Sequence, residues 1–436
     1  MGKKVNINVH HLTRVEGHGN IIVNSDNGRV EQVRWEVPEA PRFFEAMVRG
    51  QSYDDIQIIV SRICGICSIS HSFTAIKAIE DAFGVEVSED VDRLRNLLHY
   101  AEQLQSHTLH IGYLAVPDFF GKSSAVALAS DAMEVVKKVI SVHRLANEWS
   151  DLIGGRTTHP VTIVPGGFTV FPDEKQLRGL QELIKKAMPD FQAIAESVLE
   201  VSENIPQFER DTEYISLKQT DPARYTFYHG DITSTDIDGE TIGRERWHKI
   251  SNEYVVEQST AKWTKWHRKS FMVGALARFN NNSDLLTEGA KKTAELFNLE
   301  KKCTNPYMNT IAQLVECVHI CEDSIALIDE LLSGGIKTER CKVTPKAGRG
   351  IGTTEAPRGL LIHEYEFDKN GKCTGADMCI PTNCNHANIQ HDFEKIVPEI
   401  LAEGEDAVRH KLEMLVRAYD PCISCSTHML DVQFVK

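Results

Sequence analysis

Arg62-Ile63-Cys64-Gly65-Ile66-Cys67 has a counterpart in Asp420-Pro421-Cys422-Ile423-Ser424-Cys425, close to the other end of the chain. Each CxxC is a short backbone hook whose sulfurs converge, and two hooks supply four thiolates for one metal centre. Residues 68–421 lie between them, so the hooks meet only if the whole fold closes around them. A zinc ribbon keeps its hooks within tens of residues because its metal replaces a missing core. A chain of 436 residues with 42% apolar composition has a core of its own.

The net charge of −14 argues against nucleic acid or an anionic membrane surface as the main partner. No segment approaches about 18 uninterrupted apolar residues, so no membrane span is expected. The first residues carry two lysines but no apolar run after them, unlike a secretory signal. Eleven cysteines, an odd number, read as reduced thiols in a cytoplasmic setting, with the two tight pairs serving metal.

Outward from the first hook, residues 68–83 carry apolar residues at helical spacing and stop at Gly84. Cys67 therefore falls at a helix N-terminus, where backbone amides favour a thiolate. Ser88 caps a second helix, with Glu89, Asp90 and Asp92 in its first turns. Further helices are expected over 131–149, 173–205 and 309–332, the second kinked or split by Pro189. Cys317 and Cys321, one turn apart, read as small core residues. Residues 5–37 read as a small sheet with a hairpin at Asn24-Ser25-Asp26-Asn27-Gly28. Between its first strand and the hairpin, Arg14-Val15-Glu16-Gly17-His18 reads by itself as a surface ion pair. After Gly335, residues 341–344 and 360–367 read as strands and 348–359 as a glycine-rich loop; residues 393–419 read as a final helix.

The fold class expected is α+β, mainly α: a central bundle of long helices with small peripheral sheets, in one interlocked domain. Residues 1–60 form its small β region, 61–335 the bundle, and 336–428 β loops leading to the second hook.

Four motifs occur in order: RxEGH (Arg14, Glu16, Gly17, His18), RxCGxC followed by His71, EAPRG (Glu355 to Gly359) and DPCxxCxxH (Asp420 to His428). Together they resemble the large, catalytic subunit of nickel-iron hydrogenases over about residues 5–428, and most closely the cytoplasmic, cofactor-coupled group. The resemblance implies reversible heterolytic cleavage of dihydrogen at a nickel-iron centre whose iron carries carbon monoxide and cyanide. Cys67 and Cys425 would bridge the metals, with Cys64 and Cys422 on nickel alone. Cys422 would be the first proton acceptor and Glu16 the next group outward. Arg358 would stand over the open metal position, with Pro357, Arg358 and Thr382 around the iron's ligands. A second site would hold magnesium, or iron or zinc, through Glu45, His428 and a backbone carbonyl near His386.

By the same resemblance, electrons would leave through an iron-sulfur small subunit to diaphorase, deazaflavin or heterodisulfide reductase subunits. Nickel-insertion factors and a protease cutting after His428 would complete maturation and remove residues 429–436. The chain departs from the pattern at Gln105-Ser106-His107, where many relatives place an aspartate. Cys373, Cys379 and Cys384 fit no iron-sulfur spacing. Trp263, Trp266, Lys262, Lys265 and Arg268 read as packing beside a solvated helix face, or as a docking surface. Two alternatives stay open: a quinone-oxidoreductase peripheral-arm subunit, against which the four cysteines count, and a structural zinc protein, against which the separation of the hooks counts.

Overall fold

Alternation in Ile21, Val23 and Trp35 buries one face of a three-stranded antiparallel sheet. Its strands are β1 (Val5–Val9), β2 (Asn20–Asp26) and β3 (Arg29–Glu36). The computed structural model describes residues 5–220 and 222–428; the expected C-terminal extension, residues 429–436, lies outside them. Two short helices, α1 (Phe44–Val48) and α2 (Tyr53–Val60), carry the chain from the sheet to the first hook.

Helix α3 (Ser68–Phe83) starts directly after Cys67 and stops at Gly84, whose φ of 67° closes the C-terminus. Helix α4 (Glu89–Leu109) is capped by Ser88, whose hydroxyl accepts the Val91 amide at 3.4 Å, and it continues into a wide π turn over His110–Ala115. Helices α5 (Met133–Gly154) and α6 (Glu174–Leu199) follow. Pro189 neither splits α6 nor ends it. Both Pro189 and Lys185, whose carbonyl loses its partner, face solvent, while Ile184, Ala187, Phe191 and Ile194 hold the helix to the core on both sides of the proline.

The stretch read as an unbroken bundle contains a sheet. Strands β4 (Glu213–Thr220), β5 (Asp231–Ser234), β6 (Thr241–Ile242) and β7 (Phe271–Met272) lie in the order β7-β4-β5-β6, with Ala223–Arg224 paired off β4. Helix α7 (Ala275–Asn282) leads back to the bundle helix α8 (Asn309–Ser333). Cys317 and Cys321 of α8 are fully buried in the core, as read.

The C-terminal third differs from expectation in three places. Residues 341–344 form no strand, the Cys341 amide instead donating to the Gly166 carbonyl at 2.8 Å. The expected glycine loop is strand β8 (Gly348–Ala356), which pairs with β9 (Gly359–Phe367), itself paired with β10 (Cys373–Cys379). A Cβ on Gly350 or Gly352 would run into the Ala78 and Thr74 carbonyls of α3, so the glycines let a strand lie directly on a helix backbone. The expected final helix is two: α9 (Pro381–Ile400) starts earlier than read, and α10 (Glu405–Ala418) follows a break at Gly404, φ 98°. The short helix α11 (Ile423–Ser426) sits inside the second hook. A second apolar core, built from α1, α2, α3, β9 and both hooks, encloses the four cysteines.

Candidate metal centre

Cys64, Cys67, Cys422 and Cys425 come together, one sulfur from each lying within 4.8 Å of the others, and all four residues are buried. The sulfurs of Cys64 and Cys422 are 3.5 Å apart, joining hooks from opposite ends of the chain. Cys64 Sγ accepts the Ile66 and Cys67 amides, each at 3.3 Å. The hydrogen bond with Cys67 and the charge of Arg358 bring the Cys64 thiol down to about 7 against the effect of burial, while Cys67 is pushed up. Within the second hook the Cα atoms of Cys422 and Cys425 are 5.4 Å apart, and both sulfurs turn to the same point as those of the first hook.

The first hook is held from behind. Cys67 is the N-cap of α3 but offers no side-chain bond. The fully buried Glu102 of α4 does so instead, accepting the Ile69 amide at 2.5 Å, the Ser70 amide at 2.8 Å and the Ser70 hydroxyl. Burial pushes this carboxyl up to about 8. Nothing in the local sequence singles Glu102 out, since its role depends on α4 crossing the start of α3.

The second hook is held by the RxEGH segment. The Glu16 carbonyl accepts the Ile423 amide at 3.0 Å, its Oε2 accepts the Ser424 amide at 3.1 Å, and Glu16 pairs with Cys422 in an isolated parallel bridge. A Cβ on Gly17, at φ +84°, would sit 2.7 Å from the Ser424 nitrogen, so only glycine admits this approach. The surface ion-pair reading does not hold. Arg14 pairs with the buried Asp118, to which Arg417 also donates at 2.7 Å, and Arg14 reaches the Leu114 carbonyl of the π turn at 2.8 Å. Glu16 itself is half-buried.

Arg358 is buried and near the cysteines, whose charge adds to that of Asp420 in raising its pKa against burial. Its Nη2 donates to Asp420 Oδ1 at 2.8 Å, Nε to the Asp420 carbonyl at 2.6 Å, and Nη1 to Ser106 at 3.4 Å. Ser106 lies in the Gln105-Ser106-His107 departure and contributes a neutral hydroxyl to this arginine.

A second buried arginine, Arg278 of α7, fixes the backbone just before Arg358. Its Nε and Nη2 bind Glu316 at 2.6 and 2.7 Å, Nη1 binds Glu355 at 3.0 Å, and the Ala356 and Pro357 carbonyls each accept at 3.1 Å. All five of its donors are used. Arginine holds Glu316 down to about 2 although burial opposes it, whereas burial pushes Glu355 up to about 7. Thr382, at the start of α9, accepts the Cys422 amide at 3.0 Å, leaving its own O–H free to donate.

A second cluster adjoins the second hook. His428 Nδ1 meets Glu45 at 2.6 Å and its Nε2 meets Asn383 at 3.1 Å. Burial acts to raise the Glu45 carboxyl, but the hydrogen bond and charge of His428 leave it lowered. Sequence reading missed Glu253, whose Oε1 lies 3.8 Å from His428 Nε2 and is buried without a hydrogen-bond partner among the described residues. An imidazole beside two carboxylates, one with an unmet oxygen, fits a divalent cation. The His386 ring does not join them: Nδ1 accepts from Trp35 at 3.0 Å and Nε2 binds Ser426 at 2.8 Å, making it a strut between β3, α9 and α11. Arg42 ties both hooks together, its amide to the Thr427 carbonyl at 2.8 Å and its guanidinium to the Ile63 carbonyl at 2.7 Å.

A buried cradle of four soft donors beside a buried arginine is the class of site that suits a transition-metal centre. A family model described as nickel-dependent hydrogenase matches residues 42–148 and 208–428, and one described as HoxL-like matches residues 6–40. The sulfhydrogenase 1 subunit alpha of Pyrococcus furiosus is 34% identical over 428 residues, 97% of this chain and 98% of that one. The sulfhydrogenase 2 subunit alpha of the same organism is 32% identical over 97% of this chain and 99% of its own length. A solved NAD+-reducing NiFe-hydrogenase in the dihydrogen-reduced state superposes with a TM-score of 0.88 at 27% identity, covering 97% of this chain and 99% of that chain. The chain belongs to the nickel-dependent hydrogenase family, as a large subunit.

Proposed function

We propose that this chain cleaves dihydrogen reversibly and heterolytically at a nickel-iron centre held by Cys64, Cys67, Cys422 and Cys425. The observation that carries the reading is the meeting of four buried sulfurs from the two ends of the chain beside Arg358. When bound, the centre, with carbon monoxide and cyanide on its iron, supplies the Lewis acid and electron acceptor that dihydrogen cleavage needs.

The chain's residues divide the remaining work. Arg358, anchored on Asp420, is a fixed cation that stabilises developing negative charge and so favours heterolysis. The reduced thiolate of Cys422 takes the proton. Glu16, paired to Cys422 through backbone and only half-buried, passes it towards solvent. Thr382 and Arg358 would offer donors to the ligands on the iron, and Pro357, pinned by Arg278, shapes the wall of the pocket. Cys67 and Cys425, with Cys64 and Cys422, would hold the centre as thiolates, the first two shared between the metals and the last two on nickel.

Glu45 and His428, with Glu253 beside them, hold a second cation, magnesium or in its place iron or zinc. Its chemistry is structural, since it joins α1 to the residue that ends the second hook. Residues 5–428 act as one interlocked unit, a reading supported by the bridges Glu16 to Cys422 and Arg42 to His428.

No cysteine spacing here suits an iron-sulfur cluster, so electrons pass to an iron-sulfur small subunit. The likeness to an NAD+-reducing enzyme favours a diaphorase beyond it over deazaflavin or heterodisulfide reductase subunits. Among the described residues no helix is long and apolar enough to cross a membrane, in keeping with work in the cytoplasm. Maturation by nickel-insertion factors and a protease cutting after His428 completes the reading. Metal analysis, infrared spectroscopy and dihydrogen-dependent dye reduction test it together. Nickel with carbon monoxide and cyanide bands and dye reduction is the expected result; zinc alone, without those bands, would overturn it.

A further inference from the structure

Far along the chain from either hook, Glu213, Asp236 and His267 bring one ligand atom each within 4.8 Å of one another. Glu213 opens β4 and is fully buried, Asp236 lies in the turn after β5, and His267 lies in the loop before β7. Glu213 Oε1 is occupied: the Ser234 hydroxyl donates to it at 2.7 Å and His267 Nδ1 meets it at 2.8 Å. Its Oε2 is buried and has no hydrogen-bond partner among the described residues.

A buried carboxylate with half its acceptor capacity unmet is costly unless a cation sits on it. The nearest basic side chain does not fill the role. Arg268 spends Nε and Nη2 on Asp236, at 2.6 and 3.0 Å, and Nη1 on Asp211 at 2.6 Å. Among the described residues no lysine or arginine forms an ion pair with Glu213.

We propose that Glu213, Asp236 and His267 form a binding site for a divalent cation of the zinc class. One imidazole nitrogen and two carboxylate oxygens, with water completing the shell, is a donor set zinc accepts readily. The cation replaces the proton on His267 Nδ1 and gives Glu213 Oε2 its missing partner. Asp236 keeps Arg268, because a carboxylate has about four lone-pair positions. Packing of the His267 ring on Trp266, with centroids 3.8 Å apart, holds the imidazole in place.

The site lies where stapling matters. Strand β7 pairs with β4 in parallel through only Phe271 with Glu213 and Met272 with Tyr214. It leads straight to Gly274, where a Cβ would lie 3.3 Å from the Arg358 carbonyl. A cation joining Glu213, Asp236 and His267 therefore fixes the strand that backs the Arg358 turn. The proposal does not depend on the dihydrogen reading.

The test uses nickel-loaded holoenzyme, freed of loosely held metal, equilibrated with zinc chloride and assayed for zinc per chain beside the variants His267→Ala and Asp236→Asn. The wild type takes up about one zinc more than either variant, and each variant retains that zinc at least about tenfold more weakly. Zinc bound at Glu45 and His428 stays in all three proteins and subtracts out. Cobalt(II) substituted for zinc gives a visible ligand-field band in the wild type that His267→Ala loses. Equal zinc in wild type and both variants, or a cobalt band indifferent to His267→Ala, overturns the proposal. Asp236→Asn, at an exposed position, keeps the test decisive if His267→Ala folds poorly.

Discussion

Arg358 stands on Asp420: the guanidinium donates to the Asp420 carboxylate at 2.8 Å and to its carbonyl at 2.6 Å. Asp420 lies at φ 49° and also accepts from Gln313 at 3.0 Å, so the residue that opens the second hook also fixes the cation beside the sulfurs. Lysine keeps the charge but not the two-point attachment. Arg358→Lys is expected to lower dihydrogen-dependent dye reduction about 100-fold while nickel content is unchanged. Turnover equal to wild type at full nickel loading would remove Arg358 from the mechanism.

Glu16 has two roles that a single substitution separates. Glu16→Gln keeps the backbone pairing with the hook and retains an oxygen to accept the Ser424 amide, so the hook's geometry should survive. Proton transfer should not. Turnover is expected to fall about 100-fold or more, with the infrared bands of the centre unmoved. A variant that turns over normally would show that protons leave by another route.

The α3 and β8 contact requires bare backbone at Gly352. Gly352→Ala pushes a methyl into the Thr74 carbonyl, and overpacking of this kind costs about 1–3 kcal/mol. Urea unfolding should report the loss as a lower midpoint. An unchanged midpoint would mean that the strand can lift off the helix without cost.

Stability should fall on acidification. Burial holds His71, His99 and His386 at about 3, against 6.5 unfolded, so between these values the unfolded chain binds more protons and stability is lost as pH falls. Glu102 at about 8 and Glu355 at about 7, each 4.5 unfolded, act in the opposite sense, losing stability as pH rises between their two values. Between pH 4.5 and 6.5 all five groups act, and the three imidazoles outweigh the two carboxyls. The urea midpoint is therefore expected to be lower at pH 4.5 than at pH 6.5; a higher midpoint at 4.5 would contradict the neutral, buried state of these histidines.

Much of the site was legible because short motifs carry their own chemistry. A CxxC turns its sulfurs the same way whatever surrounds it, and Ser88 and Gly84 mark helix ends by local hydrogen bonding and backbone freedom. Glycines 348, 350 and 352 misled because glycine looks like a loop when the helix it must lie against is not in view. Glu102, Glu253 and Arg278 were silent for the same reason: each acts on a backbone or side chain far away in sequence.

By itself the sequence determined which four cysteines gather, the helix boundaries near them and the family's motif order, since these depend on residue type and short spacing. Only the tertiary structure decided that Glu16 grips the second hook, that Asp420 aims Arg358 and that Arg14 serves a buried carboxylate. These depend on which distant segments meet, and burial then sets what each contact is worth.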